Sequence, residues 1–159
     1  SVMLAQNLLL SLKLSQLVAR RMIKQGKDSE KSCIGTIVNL SSIAAQRTQA
    51  ELMAFSVSCA AMDQMTRSLA VSLASERVRV NAVAFGSVMS ASLKGHLKQH
   101  PNQREAILAA TPQGRIAGPT EVAEAVQFLA SDSSAFVTGE ILTVDGGRSL
   151  IDAVSTSLH

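Results

Sequence analysis

The 159-residue chain carries 15 Lys and Arg against 12 Asp and Glu, and 47% of its residues are hydrophobic. This length suits one domain, and this hydrophobic fraction predicts a packed core rather than a disordered chain. The net charge of +3 contains no long basic run and the 3% aromatic content is Phe alone, which argues against a nucleic-acid partner. Trp and Tyr are both absent, so this chain supplies no phenol for catalysis.

The two cysteines, Cys33 and Cys59, form neither a CxxC pair nor a metal-ligand spacing. Free thiols of this kind are typical of a reducing cytoplasm. No uninterrupted apolar stretch reaches the roughly 18 residues of a membrane helix, and the start "SVMLAQNLLL" lacks the basic region of a signal peptide. His96 and His100 have i,i+4 spacing without an accompanying Glu, so we predict a solvated helix end and no metal site. We expect a cytoplasmic protein without a membrane segment.

Helical and strand patterns alternate along the first half of the chain. Apolar residues at helical spacing predict a helix over residues 4–24, and the polar stretch 25–34 predicts a surface loop. The β-rich run 36–40 predicts a buried parallel strand. A second helix is predicted over residues 52–75 and a second strand over residues 78–84.

The second half continues the alternation after a mixed segment, residues 87–112. That segment predicts one or two interrupted helical pieces, of the kind that forms lids or binding loops. The stretch "AGPTEVAEAVQFLASD" predicts the best-defined helix, since Gly118 suits the N-cap, Pro119 the first helical position and Glu121 the positive end of the helix dipole. A third strand is predicted over residues 141–145. This order predicts an α/β fold with a three-stranded parallel sheet and flanking helices.

Several blocks of the sequence occur in an order that is specific to one family. They are "QNLLLSLKLSQLVARRM", "GTIVNLSSIAA", the helix after Phe55, "RVRVNAVAFGSVMS" and "GRIAGPTEVAEAVQFLASDSSAFVTGEILTVDGG". Over nearly its whole length the chain resembles the C-terminal part of short-chain dehydrogenases/reductases, most closely the 3-oxoacyl-[acyl-carrier-protein] reductases. The resemblance implies NAD(P)H-dependent reduction of a ketone, with a 3-oxoacyl thioester or a similar substrate and with NAD or NADP as the cofactor.

The resemblance also implies four catalytic positions, which the family fills with Asn, Ser, Tyr and Lys. Asn7 and Ser42 match the first two, whereas Phe55 stands at the Tyr position and Cys59 at the Lys position one turn later. In the family the Tyr is the general acid, the Lys lowers its pKa and holds the nicotinamide ribose, the Ser positions the carbonyl and the Asn supports a water-linked proton path. Phe has no hydroxyl and a thiol is no fixed cation, so we expect little or no activity.

The cofactor side of the family pattern is only partly present. Gly86, Val88 and Ser90 match the loop that contacts the nicotinamide ring and carboxamide, although Phe85 replaces the usual Pro and removes its fixed φ. No G-x-x-x-G-x-G turn occurs for the pyrophosphate. We therefore expect a single domain over residues 1–159, a partial Rossmann-type sheet that lacks the N-terminal nucleotide-binding half. Its first strand should present an open edge, which is an aggregation liability.

Three hypotheses remain open from the sequence. The chain is a catalytically deficient oxidoreductase homologue, a non-catalytic partner of an active relative, or an incomplete product, which its abrupt start without an initiator Met favours. In the family the helices that match residues 4–24 and 52–75 pack across a two-fold axis, and the last strand region makes another subunit contact. The resemblance thus implies a homo-oligomer, a dimer or tetramer, or a hetero-oligomer with a related chain.

Overall fold

The computed structural model describes residues 2–152. Within these residues helices alternate with strands in the predicted order. The helices are α1 (Val2–Gly26), α2 (Met53–Ala74), α3 (Ala91–Gln99), α4 (Asn102–Ala109) and α5 (Pro119–Ala130), and the strands are β1 (Gly35–Ser42), β2 (Val78–Phe85) and β3 (Ile141–Val144). The mixed segment 87–112 contains α3 and α4, with Pro101 between them as predicted.

The sheet is parallel, with β2 in its centre. Ser42 of β1 lies beside Phe85 of β2, and Phe85 lies beside Val144 of β3, so the carboxyl ends of the strands meet at one edge of the sheet. Within residues 2–152, β1 pairs only with β2, which confirms the open edge expected there. β1 extends beyond the predicted residues 36–40. Ser41 and Ser42 are not typical strand residues, but they continue the pairing with β2.

Helices cover both faces of the sheet, as the alternation predicted. On one face, Asn39 Nδ2 of β1 donates a 2.9 Å hydrogen bond to Thr66 Oγ1 of α2. On the other, Thr36 Oγ1 donates a 3.4 Å bond to the carbonyl of Leu129 in α5. Residues 36 and 39 point to opposite faces because side chains alternate along a strand. The α/β architecture with a partial Rossmann-type sheet is thereby confirmed.

Burial of β2 holds this sheet in place. Val80, Ala82 and Val83 have 0% of their surface exposed, as expected for a parallel strand covered on both faces. Burying a valine side chain contributes roughly 1.5–3 kcal/mol. Burial of these apolar side chains therefore fixes β2 in the sheet, and with it the position of the loop that follows its carboxyl end.

A buried arginine, Arg79 of β2, ties α5 to the sheet. Its side chain is 7% exposed. The guanidinium donates to the carbonyls of Leu129, Ser131 and Val137 at 3.0, 3.1 and 3.2 Å, and to Ser134 Oγ at 3.0 Å. Each of these carbonyls also accepts a hydrogen bond from the side chain of Thr36, Ser134 or Asn81, so Arg79 adds a charged donor to a buried network that joins β2 to the end of α5.

We expect Arg79→Met to lower the free energy of unfolding by about 3–5 kcal/mol, because several buried carbonyls lose a charged donor at once. Urea denaturation followed by far-UV circular dichroism measures the change. The matched control is Arg104→Met, since Arg104 is exposed on α4 and surface changes usually stay within about 0.5 kcal/mol. Equal midpoints for the two variants would contradict the role given to Arg79.

The start of α5 follows the sequence prediction. Gly118 is the N-cap, Pro119 the first helical residue, and the Gly118 N–H donates to Glu121 Oε2 at 2.8 Å. Arg115 donates to both oxygens of the same carboxylate, at 2.5 and 2.8 Å. The Arg115 hydrogen bonds, followed by the Gly118 N–H, lower the pKa of Glu121 from 4.5 to about 2.

A depressed carboxyl pKa stabilises the folded chain above pH 4.5, and this contribution is lost as the pH falls through about 2. We expect Arg115→Gln to raise the pKa of Glu121 towards 4.5, because the largest cause of the shift is removed. Carbon-13 NMR titration of the Glu121 carboxyl, in the unaltered chain and in Arg115→Gln, measures the shift directly. An unchanged Glu121 titration would show that Arg115 is not its main partner.

The first helix bears on the expectation of a chain without a membrane segment. By length and composition alone, α1 is long and apolar enough to cross a membrane, although it includes polar residues such as Gln6 and Asn7. Core helices of soluble proteins and signal sequences meet the same criterion, so this finding does not overturn the expectation. Leu10, Leu14 and Leu17 are 62%, 59% and 63% exposed. Their i, i+4, i+7 spacing places these leucines on one face of α1.

Candidate active site

The four tetrad positions named from the sequence surround one cavity. It has a volume of about 200 Å³, lies at the carboxyl ends of β1 and β2, and is lined by Asn7, Ser42, Phe55 and Cys59 among others. We call it the tetrad cavity. A crevice at the carboxyl ends of parallel strands is the usual ligand position in open α/β sheets. The spacing of the motifs along the chain is therefore matched by proximity in space.

Asn7 reaches this cavity from a distorted part of α1. Residues Ala5–Leu9 form a π-helical turn, a feature often found at functional sites. Asn7 Nδ2 donates to Ser58 Oγ at 3.1 Å, and Ser58 Oγ donates to the carbonyl of Phe55 at 2.7 Å. Asn7 is thus linked to the backbone of α2 at the Tyr position. Ser58, which is fully buried, was not identified from the sequence, because nothing in its local pattern indicates a contact with α1.

Ser42 is held by the turn that ends β1. Its Oγ accepts a 3.2 Å hydrogen bond from the N–H of Ala44 and so caps the short 3₁₀ helix Ile43–Ala45. Because this bond uses only an acceptor lone pair, the Ser42 hydroxyl proton stays available to a substrate oxygen. Phe55 lines the same cavity through its ring and has no polar atom to offer there.

Cys59 is buried at the centre of the constellation. Its side chain is 6% exposed. Burial raises the pKa of the Cys59 thiol, and the Asp63 carboxylate adds to the increase against opposing hydrogen bonds from Ser58 and the Ser42 backbone. The thiol is therefore protonated at neutral pH, and it supplies neither a cation nor a nucleophilic thiolate.

Asp63 is a further buried group near the cavity that the sequence did not single out. It is 4% exposed, and its Oδ1 has no hydrogen-bond partner within the part of the chain described. Burial raises the pKa of the Asp63 carboxyl, while the Ser41 hydroxyl and the charge of Arg67 oppose the shift. The sequence could have indicated this position, because Asp63 lies four residues after Cys59 on α2, and side chains at i and i+4 share one face of a helix.

The predicted nicotinamide-side residues border a second cavity of about 430 Å³, which includes Phe85, Gly86, Val88 and Ser90. We call it the ring-side cavity. Val88 forms a parallel bridge with Ala117. Ser90 Oγ caps α3 by accepting from the N–H of Leu93 at 3.2 Å. Phe85, where the family has Pro, continues β2 to its last residue and lines both cavities.

The residues present fit the ring end of a nicotinamide cofactor and not its diphosphate end. A Cβ at Gly86 would lie 3.0 Å from Asp145 Cβ and 3.2 Å from Asp145 Cα, so a larger residue here would push Asp145 away by a few tenths of an ångström. Leu40, Val122 and Leu93 add an apolar wall suited to an aromatic ring. The sequence offers no Gly-rich turn for the phosphates, and Cys59 offers no charge to the ribose.

A third cavity, of about 740 Å³, opens beside Ser42 and Phe55. We call it the mouth cavity. Its wall includes Arg47 and Arg148, which sequence reasoning missed because they lie far apart in the chain and in no recognised motif. The ring centroids of His96 and His100 lie 4.6 Å apart, and His96 Nε2 is hydrogen-bonded to Gln103 Oε1. Residues 2–152 contain no group of three or more His, Cys, Asp or Glu side chains that could hold a metal ion.

Comparison with known proteins agrees with this geometry. A family model described as enoyl-(acyl carrier protein) reductase matches residues 3–149. The cis-4-hydroxycyclohexanecarboxylate dehydrogenase of Sinomonas cyclohexanicum is 44% identical over 117 residues, which cover 74% of this chain and 46% of that protein. The 3-oxoacyl-[acyl-carrier-protein] reductase FabG of Vibrio cholerae is 36% identical over 145 residues, which cover 91% of this chain and 55% of that protein.

A solved structure shows the same relationship. The 7α-hydroxysteroid dehydrogenase complexed with NADH and 7-oxo glycochenodeoxycholic acid matches with a TM-score of 0.79 and 33% identity, over 89% of this chain and 52% of that one. The chain spans about half the length of the relatives it matches. Because the family model matches residues 3–149 and the fold matches that of a solved member, the chain belongs to the short-chain dehydrogenase/reductase family, whose members use a nicotinamide cofactor.

Proposed function

We propose that this chain is an oxidoreductase-type domain that keeps the substrate side of its site and has lost proton transfer. The observation that carries the proposal is the pair Phe55 and Cys59 on the wall of the tetrad cavity. A nicotinamide cofactor supplies hydride when it is bound in this family. The proton that completes ketone reduction needs a donor, and neither a phenyl ring nor a buried thiol of raised pKa provides one.

The remaining residues have defined roles in the proposal. The hydroxyl of Ser42 orients a carbonyl oxygen in the tetrad cavity, and Asn7 fixes the start of α2 through Ser58. Gly86, Val88 and Ser90 hold the ring end of NAD or NADP. The substrate class is a 3-oxoacyl thioester, as the name of the Vibrio cholerae relative indicates for that protein, or another carbonyl compound of similar size.

Purified chain mixed with NADPH and an acetoacetyl thioester should show no loss of NADPH absorbance above the enzyme-free blank. Loss of a general acid alone typically costs about 10²–10⁴-fold in rate, and the cation that tunes it is absent too. The Vibrio cholerae FabG is the positive control for the assay. A rate clearly above the blank would overturn the claim of inactivity.

A second candidate is a non-catalytic partner role, favoured by the exposed leucines of α1. In this proposal the chain assembles with itself, as a dimer or tetramer, or with a related chain that supplies the nucleotide-binding half, in the cytoplasm. Co-purification with a full-length relative, together with a change in that enzyme's rate, supports the role. Clean separation of the two proteins with an unchanged rate would exclude it.

A further inference from the structure

The mouth cavity carries positive charge that the proposed chemistry does not use. Arg47 and Arg148 line it beside Ser42 and Phe55, and Asp152 is the one carboxylate lining it among residues 2–152. We propose that Arg47 and Arg148 bind the anionic group of a small organic acid, a carboxylate or sulfonate, whose reacting carbon lies at Ser42. This inference rests on the proposed function, because it names the substrate class of the same site.

The loops that follow β2 and β3 anchor the two guanidinium groups. Arg148 Nη1 donates to Ser87 Oγ at 2.7 Å, and Arg47 Nη2 donates to the carbonyl of Ser149. A guanidinium has five N–H donors in a planar fork, so one anchoring bond leaves other N–H groups for a ligand. An anchored fork is suited to a carboxylate or sulfonate, which accepts two parallel hydrogen bonds.

The nearby carboxylate of Asp145 does not neutralise this site fully. It accepts hydrogen bonds from the N–H of Gly147 at 2.9 Å and the N–H of Ser149 at 2.7 Å, which hold it in the turn after β3. Burial alone would raise the pKa of the Asp145 carboxyl, but the hydrogen bonds from Ser149 and Gly147 outweigh it and lower the pKa, and the charge of Arg148 adds a smaller contribution. Asp145 is not part of the cavity lining, which contains two guanidinium groups, Arg47 and Arg148, and one carboxylate, Asp152, among residues 2–152, so the wall carries one positive charge in excess.

The remainder of the wall suits the body of such a ligand. Ile43, Leu52, Phe55 and Ile107 supply apolar surface between the arginines and the tetrad cavity. Ser42 and Phe55 line both cavities, so the two spaces adjoin each other. A compact ring or short chain therefore fits between an anion at the arginines and a carbonyl at Ser42.

Ligand-observed NMR on the purified chain tests this proposal without any hydride transfer. The probes are cyclohexanecarboxylate and its uncharged analogue cyclohexanecarboxamide, at low ionic strength because salt screens exposed charges. We expect the acid to bind at least about ten-fold more tightly than the amide. Arg47→Gln and Arg148→Gln should each weaken acid binding by about ten-fold and leave amide binding unchanged.

The matched control is Arg20→Gln, which removes an exposed charge on α1 away from the cavity and should change neither affinity. Should Arg148→Gln disturb folding, as judged by circular dichroism, Arg47→Gln alone decides the test. Equal affinity for acid and amide, or acid binding that neither glutamine variant weakens, would overturn the proposal. The binding measurement does not depend on NADPH oxidation. A failure of the anion-binding proposal can therefore be distinguished from a failure of the proposed function.

Discussion

The double variant Phe55→Tyr/Cys59→Lys should reduce an acetoacetyl thioester about 10²–10⁴-fold faster than the unaltered chain, when both are joined to the nucleotide-binding half of FabG from Vibrio cholerae. The tyrosine hydroxyl would enter the tetrad cavity from the position of the Phe55 ring. A lysine at position 59 would have the cavity's volume of about 200 Å³ to extend into. Its ammonium would lower the pKa of the new phenol.

Each single variant of the fused chain should recover much less activity than the pair, because groups that act as one unit contribute non-additively. Phe55→Tyr alone supplies an acid without its cation, and Cys59→Lys alone supplies a cation without an acid. Loss of NADPH absorbance measures all four chains. No gain from the double variant in a folded fusion would show that Phe85, or another departure from the family pattern, also blocks the reaction.

The double variant Leu14→Glu/Leu17→Glu should convert an oligomer of the chain into monomers. The two leucines are 59% and 63% exposed, and Val57 and Val71 of α2 are 53% and 80% exposed. Apolar side chains this exposed on two neighbouring helices would suit the subunit contact proposed above. Burying a leucine contributes roughly 1.5–3 kcal/mol, and a symmetric dimer buries each position twice, so the Kd should rise at least about 10³-fold.

Size-exclusion chromatography with light scattering at micromolar concentration measures the change in oligomeric state. Lys98→Glu is the control for charge: it lies exposed on α3 and alters the net charge by the same amount as the two leucine changes. A wild-type chain that is already monomeric at this concentration would contradict the prediction. So would a leucine variant that stays oligomeric while circular dichroism shows an intact fold.

Much of the fold was predictable because its signals are local. The apolar run of β2 and the capping residues of α5 lie next to each other in the sequence, and the structure confirms both. The π-helical turn at Ala5–Leu9 was not predictable, since the bond from Asn7 to Ser58 joins separate elements. A local pattern carries no information about such a contact.

Part of the candidate site could also be predicted from local sequence, and part could not. The tetrad positions follow from motif spacing, because Phe55 and Cys59 lie one turn apart on a single helix. Arg47 and Arg148 come together only when the turn after β3 folds over the end of β1, and no motif marks either residue. Their meeting depends on sheet order, and sheet order is set by packing across the whole chain.

The measurement that tests the central claim most directly is the NADPH oxidation rate of the unaltered chain joined to a working nucleotide-binding half. That fusion restores the nucleotide-binding half, and Phe55 and Cys59 are then the tetrad positions at which it differs from the family pattern. A rate equal to that of the enzyme-free blank, with NADPH bound by the fusion, is the result we predict. Turnover of an acetoacetyl thioester within about ten-fold of the intact FabG would contradict the account, since loss of a general acid typically costs about 10²–10⁴-fold.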